Sequence, residues 1–110
     1  GDWLFGTTSG LYIDRVDVPQ IIIGKESTLH MTVQGSKSPR LDYVVIDANS
    51  REIVDLGKAE QESDSFTITF ESQVTENLEP GLHQLFLLAS SDDLAVVFER
   101  QVDLLVEPQQ

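Results

Sequence analysis

Cysteine is absent from this chain of 110 residues, and the absence excludes three kinds of chemistry. Without a thiol there is no structural disulfide, no thiolate metal site and no cysteine nucleophile. Basic residues are also scarce, since 7 Lys and Arg stand against 19 Asp and Glu and leave a net charge of -12. Nucleic acids and anionic membrane surfaces are bound through Lys and Arg, so neither is expected as a partner.

Long apolar runs are missing as well. None approaches the ~18 residues that cross a bilayer, so no membrane insertion of this segment is expected. Hydrophobic residues nonetheless make up 40% of the sequence and charged residues 24%, which is ordinary for a globular protein. We expect one domain with one core, and Gly1 in place of an initiator methionine suggests a module excised from a longer protein.

Short stretches rich in Val, Ile, Leu, Phe and Thr, separated by Gly, Pro, Ser, Asn or Asp, fill residues 11–106. This is the pattern of strands and turns. Alternation slips around Asp14 and Arg15, which predicts a bulge or a change of sheet, and Pro19 then ends the first strand or marks an edge. Residues 57–65 are predicted to be a polar loop and residues 73–78 a single helical turn.

The strands are of two kinds. Residues 28–34 and 66–71 alternate apolar and polar side chains, as half-buried strands do. Residues 41–48 and 82–89 are apolar on both parities, which predicts central strands covered on both sides. The predicted core consists of Leu29, Met31, Val33, Tyr43, Val45, Phe66, Ile68, Phe70, Leu85, Leu87, Val102 and Leu104.

These patterns predict an all-β fold, a two-sheet antiparallel sandwich of about seven strands. The predicted domain covers residues 11–107, after a linker or docking segment at 1–10 and before a tail at 108–110. Residues 82–89 and 94–106 should pair as a hairpin, and Gly81 should have a positive φ in a type II turn after Pro80. The first strand and the end of residues 94–106 are the expected open edges.

Three segments resemble motifs of immunoglobulin-like and fibronectin type III-like modules of prokaryotic surface proteins. Residues 24–33 (GKESTLHMTV) are similar to the second strand of such modules, residues 44–54 (VVIDANSREIV) to a hairpin, and residues 78–89 (LEPGLHQLFLLA) to the entry into the penultimate strand. Asn49-Ser50 replaces the usual hairpin glycine. His83 replaces the usual tyrosine-corner aromatic, and a ring nitrogen could donate the equivalent hydrogen bond.

The resemblance implies an immunoglobulin-like sandwich and carries no active site with it. It implies a non-catalytic module of a larger extracytoplasmic or cell-surface protein of a prokaryote, used for protein–protein contact, assembly or spacing. The missing cysteines agree with a prokaryotic source, because antibody-type domains usually carry a cysteine pair between their sheets. The partner is then a protein or a neighbouring domain. A calcium-assisted or carbohydrate-binding accessory module is the alternative.

Patterns of catalytic residues are incomplete. Residues 6–10 (GTTSG) miss the spacing of a nucleophile elbow, and both histidines lie in strand patterns. Gly24-Lys25 lacks the hydroxyl residue that follows the lysine of a phosphate loop, because Glu26 stands there. A pair of carboxylates could serve a glycosidase, but an acidic surface is usually only solvated. No catalytic residue and no cofactor is predicted.

Metal ligands are few. Two histidines, His30 and His83, do not make a zinc site without cysteine, and no zinc ligand is assigned. Calcium prefers carboxylate oxygens, which either Asp92-Asp93 or the acidic residues of the loop at 60–64 could supply. The usual spacing of a calcium loop is absent, and Asp and Ser also serve simply as turn formers.

Aromatic residues are also few, with one Trp, two Tyr and five Phe. Those in strand patterns are expected in the core, namely Tyr43, Phe66, Phe70, Phe86 and Phe98. Trp3, Phe5 and Tyr12 remain as candidate interaction residues. They could pack on the base of the domain or a neighbouring domain, or form a docking patch for a protein partner, where Trp and Phe are enriched.

The excess of carboxylates predicts that salt stabilises the fold. Like charges repel in the compact state, and the Debye length falls to ~3 Å at 1 M salt. We expect the melting temperature to rise equally with sodium chloride and with millimolar calcium at matched ionic strength, as measured by calorimetry. A rise caused by millimolar calcium and not by magnesium would contradict this and favour bound calcium.

Overall fold

The computed structural model describes residues 10–35, 38–92 and 97–109. Strands and one short helix follow the chain in the order β1 Tyr12–Asp17, β2 Ile21–Ile22, β3 Ser27–Gln34, β4 Arg40–Asp47, β5 Ile53–Lys58, β6 Glu60–Glu62, β7 Ser65–Phe70, α1 Ser72–Glu76, β8 Gly81–Ser90 and β9 Val97–Glu107. A four-stranded sheet has the order β1-β3-β7-β6, and a five-stranded sheet has the order β2-β9-β8-β4-β5. The predicted all-β sandwich is confirmed.

Two very short strands raise the number from the predicted seven to nine. All neighbouring strands are antiparallel except β2, which runs parallel to β9 through Ile21 and Ile22. The other addition is β6, in residues 57–65, where a loop was expected. That expectation was wrong because β6 is polar on both faces and pairs with β7 through its backbone. Buried Ala59 donates its N–H to Leu41 over 2.9 Å, where the chain passes from one sheet to the other.

The core lies between the inner faces of the two sheets. Ten of the twelve predicted core residues are buried, and the other two, Tyr43 and Val102, pack against the core while remaining partly exposed. The sequence pattern did not mark Ile21, Leu41 and Val106 as core, yet all three are buried. Leu41 lies near the start of β4 and Val106 near the end of β9. Ile21 reaches the core because its short strand changes sheet.

The first strand shows both features that its irregular pattern allowed. A β-bulge lies between Asp14 and Val16 in the pairing of β1 with β3, which lets Val16 as well as Ile13 face the core. The chain then leaves this sheet and, after Pro19, forms β2 in the other sheet. Proline cannot donate to a ladder, so it suits the break between two sheets.

Helix α1 is a single turn held by one buried side chain, Thr75. The Thr75 hydroxyl accepts the Gly24 N–H over 3.0 Å and donates to the Lys25 carbonyl over 2.9 Å. Gly24 has a φ of 83°, which a glycine adopts without steric cost in this turn. The predicted helical turn is confirmed, and Thr75 fixes it to the turn that precedes β3.

The β8–β9 hairpin is confirmed, and so is the positive φ predicted for Gly81 at its entry. The two strands pair from Gly81 with Val106 to Ser90 with Val97. Gly81 has a φ of 123° directly after Pro80, as predicted. Two open edges were expected. β1 is an edge strand, as predicted, whereas the end of β9 is paired with β2 and is not open.

The edges of the two sheets meet where β1 lies beside β9. Arg100 on β9 donates from Nη1 to the Ile13 carbonyl of β1 over 3.1 Å. This hydrogen bond joins the two sheets at a place where no backbone pairing connects them. Within the described ranges, no helix is long and apolar enough to cross a membrane.

Ile68 provides the test of the core assignment. It lies in the middle of β7 and is 2% exposed. We expect Ile68→Ala to lower the free energy of unfolding by about 2–5 kcal/mol, because the large-to-small change leaves a cavity. Denaturant unfolding measures the loss, with Ser65→Ala, an exposed position on the same strand, as the control. A loss within experimental error would mean that Ile68 is not in a packed core.

Candidate functional site

The outer faces of the two sheets differ in chemistry. On the four-stranded sheet the outward side chains of β3 and β7 are polar, and Thr28 and Thr69 lie hydroxyl to hydroxyl at 3.3 Å. His30 is exposed on this face, as its place on the polar side of the strand predicted. Water can solvate such a face, so the four-stranded sheet needs no covering partner.

The five-stranded sheet carries apolar side chains on its outer face as well as its inner one, although Asp42, Gln84 and Gln101 also point outward there. Its central strands, β4 and β8, carry the two sequence stretches that are apolar on both parities. The prediction that both sides are covered was wrong, because within the described chain only the inner side is packed. Phe86, expected in the core, lies on the outer side and is half-buried.

Pairing of the strands brings these outward side chains together. Val44 lies between Phe86 on β8 and Leu56 on β5, so three apolar side chains form a row across three strands. Ile46 pairs with Ile53 in the next row, and Leu82 with Leu105 at the end of the sheet. We call this surface the apolar face, and it consists of Val44, Ile46, Ile53, Leu56, Leu82, Phe86, Leu88 and Leu105.

Several members of the apolar face are largely in solvent. Leu56 is 62% exposed, Ile53 59% and Leu105 58%. Single exposed leucines are common on protein surfaces, but adjacent ones on one sheet face form a patch of the kind that marks interaction sites. The apolar face is therefore the strongest candidate site in the described part of the chain.

Charged side chains lie among and around the members of the apolar face. Arg40 and Lys58 are positive, whereas Asp42, Glu99, Asp103 and Glu107 are negative. Arg40 and Asp42 are 3.8 Å apart and partly neutralise each other.

The interaction residues predicted from the sequence do not belong to the apolar face. Tyr12 is 44% exposed and pairs with Gln34 on the four-stranded sheet, away from the apolar face. Trp3 and Phe5 fall outside the described residues. The sequence analysis did not predict the apolar face as a site. Its indication in the sequence is the run of apolar residues on both parities in β4 and β8, which was interpreted as burial on both sides.

A buried histidine and a buried aspartate meet at one end of the sandwich. Asp47 on β4 and His83 on β8 are register partners, and both side chains point inward. Nδ1 of His83 donates to the Gly81 carbonyl over 3.2 Å, since a carbonyl can only accept. A ring nitrogen thus takes the place of the tyrosine hydroxyl in bonding to the backbone upstream. Nε2 is 3.9 Å from Oδ2 of Asp47 and has no hydrogen-bond partner.

The Asp47 carboxylate also organises the β4–β5 hairpin. Its Oδ1 accepts the backbone N–H of Asn49 over 2.8 Å and that of Ser50 over 3.3 Å. The pKa of Asp47 is lowered from 3.8, first by the Asn49 hydrogen bond and further by the Ser50 bond and the nearby His83, against the opposing effect of burial. Arg51, directly after the Asn49-Ser50 pair that replaces the usual glycine, takes a φ of 69°.

This pair does not form a catalytic triad. In a triad one histidine nitrogen faces the aspartate and the other faces the nucleophile. Here one nitrogen of His83 is bonded to Gly81 and the other faces Asp47, which leaves neither for a serine. Asp47 and His83 are positioned as structural residues that join the hairpin to the Pro80-Gly81 turn.

The acidic residues considered as calcium ligands do not form a group among the described residues. Glu60 and Glu62 are exposed on β6, Asp64 is exposed in the following turn, and Asp93 falls outside the described residues. Across the ranges that the structure describes, no three His, Asp or Glu side chains are grouped as a metal site. Four surface depressions of about 190 to 360 Å³ are lined by no Phe, Tyr or Trp side chain.

Tyr43 links the core to the edge strand β5. Its hydroxyl donates to Oδ2 of Asp55 over 3.1 Å, and its ring meets that of Phe70 edge to face at 5.9 Å. Burial, and then the charge and hydrogen bond of Asp55, raise the pKa of Tyr43 to about 12. The ring lies over Gly57, where an added Cβ would be 3.1 Å from the hydroxyl. These contacts hold β5, and with it Leu56, in the sheet.

Asp47 is expected to contribute to acid sensitivity. Its pKa is lower in the folded chain than in the unfolded one, so its contribution is present above pH 3.8 and is lost as pH falls through the folded pKa. Asp47→Asn should therefore be less stable than the natural chain near pH 6, and the gap should close towards pH 2. Denaturant unfolding across this range measures the gap. Asp14→Asn, on the exposed face of β1, is the control, and a gap that stays constant with pH would contradict the assignment.

Comparisons with known proteins identify the fold. No family model matches the sequence, and neither does any curated protein. Among solved structures, the chain is similar to the fibronectin(III)-like modules of CbhA from Clostridium thermocellum, with a TM-score of 0.56 and 15% identity over 90% of this chain and 100% of that chain. It also matches Dpr1 IG1, solved bound to DIP-eta IG1, with a TM-score of 0.43 and 9% identity over 87% and 97% of the two chains. The predicted fold is confirmed: the chain is an immunoglobulin-like, fibronectin type III-like sandwich.

Proposed function

We propose that this chain is a non-catalytic module that makes protein–protein contacts, for assembly or spacing, through the apolar face of its five-stranded sheet. We place it in a larger extracytoplasmic or cell-surface protein of a prokaryote. The observation that carries the proposal is the exposure of the apolar face, where Leu56, Val44 and Phe86 stand side by side across three strands.

The chemistry of the apolar face favours a protein partner. Interfaces between proteins have apolar centres that are poor in charge and rims that are polar. Here Val44 and Phe86 are at the centre, and charged residues such as Lys58 and Glu99 stand at the sides. A polysaccharide usually needs exposed aromatic rings to stack on, and Phe86 is the only aromatic residue of the apolar face.

Further features support the rest of the proposal. Sandwiches of this fold are generally non-catalytic modules, and His83 is only 1% exposed, so a substrate in solvent does not reach its ring. A sandwich without cysteine supports a prokaryotic source. We assign residues 1–10 to a linker or docking segment, residues 11–107 to the module and residues 108–110 to a tail. Trp3, Phe5 and Tyr12 are then a separate contact for a neighbouring domain.

Photo-crosslinking tests whether the apolar face meets another protein. Benzoylphenylalanine is placed at position 56, in place of Leu56, in the organism that makes the protein. Because Leu56 is 62% exposed, the substitution should not disturb the fold. We expect irradiation to give a covalent adduct of higher mass, identified by mass spectrometry.

The matched control places the same amino acid at position 69, in place of Thr69. Thr69 is also an exposed strand residue, but it lies on the polar outer face of the other sheet. We expect few or no adducts from position 69. Equal yields from both positions, or none from position 56, would show that the apolar face is not the contact surface.

A further inference from the structure

We propose that the partner binds through an extended segment that adds to the open edge of β5 as the next strand of the five-stranded sheet. This inference rests on the proposed function, because it states how the partner of the apolar face is held. β5 is the last strand in the order β2-β9-β8-β4-β5, and no described strand pairs with its other side. An added strand would anchor the partner beside Leu56, and the rest of the partner would cover the apolar face. The segment comes from another protein, since two copies that each carry a net charge of -12 repel each other.

The register of β5 identifies the backbone groups that are open. Along an antiparallel pair, residues whose N–H and C=O groups bond to the neighbouring strand alternate with residues whose groups point away from it. Ala59 donates its N–H to a carbonyl of β4 over 2.9 Å, so Gly57 and Asp55 also bond to β4. The N–H and C=O groups of Leu56 and Lys58 therefore point away from β4, and no described group bonds to them.

Hydrogen bonds on the other side of β4 agree with this assignment. Beyond the end of β4, Ala48 donates its N–H to the Leu82 carbonyl over 3.1 Å. The even-numbered residues of β4, such as Val44, therefore bond to β8, and the odd-numbered ones, such as Tyr43 and Val45, bond to β5. Both sides of β4 thus indicate the same open residues on β5.

Open backbone groups and an exposed apolar side chain occur together at Leu56. Its side chain is 62% exposed and ends the row that begins with Phe86 and Val44. An apolar residue opposite Leu56 on the added strand would extend this row by one position. Lys58 lies on the same side of β5 and would favour an acidic residue opposite it. The expected partner segment is therefore an extended strand with an apolar and an acidic residue two positions apart.

The other strand edges of the described chain are less suited to an added strand. β1 and β9 lie side by side, and Arg100 of β9 donates to the Ile13 carbonyl of β1. β9 also carries Glu99 and Asp103, and β6 is the exposed and acidic segment Glu60–Glu62. β2 has only two residues. Short strands and charged side chains are features that keep natural edges from pairing, so β5 is the edge that favours a partner strand.

β5 is held in place without the use of its open groups. The Tyr43 hydroxyl donates to Asp55 over 3.1 Å, and the Tyr43 ring lies over Gly57. Both contacts are on the inner side of the strand. The template for the added strand is therefore formed before binding, and only the incoming segment has to be ordered.

Amide hydrogen exchange of the full chain, followed by NMR, tests which groups are open. We expect the N–H groups of Leu56 and Lys58 to exchange at least about tenfold faster than those of Asp55 and Gly57, which bond to β4. Equal protection of all four groups would overturn the assignment of the open edge.

A proline at position 58 tests strand addition while the apolar face stays unchanged. Lys58→Pro removes an N–H that the sheet does not use and blocks the edge, whereas the matched control Lys58→Ala keeps the N–H. Each variant is combined with benzoylphenylalanine at position 56, and circular dichroism verifies that it is folded. We expect the adduct yield of the proline variant to be at least about tenfold below that of the alanine variant, because hydrogen bonds of the added strand are lost.

Exchange in the complex gives a second test, which needs no variant. The probe is a synthetic peptide with the sequence of the partner segment that carries the adduct from position 56. We expect the peptide to slow exchange at Leu56 and Lys58 at least about tenfold and to leave Asp55 and Gly57 unchanged. Unchanged exchange at Leu56 and Lys58 would overturn strand addition.

Failure of this inference and failure of the proposed function give different results. Equal adduct yields from Lys58→Pro and Lys58→Ala would overturn strand addition, while the adduct itself would support the proposed function. No adduct from position 56 in the natural sequence background would overturn both. An adduct to residues 1–9 of the same chain, or one of twice the mass of the chain, would overturn the assignment to another protein.

Discussion

Packing of inward side chains between two sheets is the interaction on which the whole structure depends. Leu29, Ile68 and Leu85 come from different strands, and each is at most 2% exposed. Two facing sheets lie about 10 Å apart, a distance that these side chains fill. The space between two sheets is the only interior that a sandwich of this size possesses. A strand that is apolar on both faces can therefore bury only one of them.

That constraint connects the fold to its proposed function. β4 and β8 lie at the centre of the five-stranded sheet, and their inner side chains, such as Val45 and Leu87, complete the core. Their outer side chains, Val44 and Phe86, have no second layer within the described chain. The outward side chains of β4 and β8 form the surface that a partner would cover.

Polar contacts hold the ends of the sandwich in place. Thr75 fixes the helical turn to Gly24, and Asp47 fixes the β4–β5 hairpin next to His83. Tyr43 and Asp55 hold β5 against β4, although β5 is an edge strand with few buried residues. These contacts position Leu56 and Ile53 beside β4, so the rigidity of the apolar face depends on bonds made on the other side of the sheet.

The sequence alone determined the all-β class, the two sheets and most of the core, because strand alternation depends only on the order of residues. It also predicted a bulge or a change of sheet near Asp14 and the positive φ of Gly81, which follow from local pattern and turn chemistry. It did not predict β6, since Glu60 to Glu62 have no apolar alternation and form a strand only when β7 lies beside them.

Only the tertiary structure decided which apolar strands remain uncovered. Residues 41–48 and 82–89 are apolar on both faces of their strands. That pattern fits a sheet covered on both sides, and it also fits a sheet that is covered on one side and has an exposed apolar face on the other. The sequence therefore cannot distinguish the two arrangements. The number of layers depends on which strands pair and where the chain changes sheet, as at Pro19 and Ala59. Once those crossings are fixed, no described element remains to cover Phe86, Val44 and Leu56.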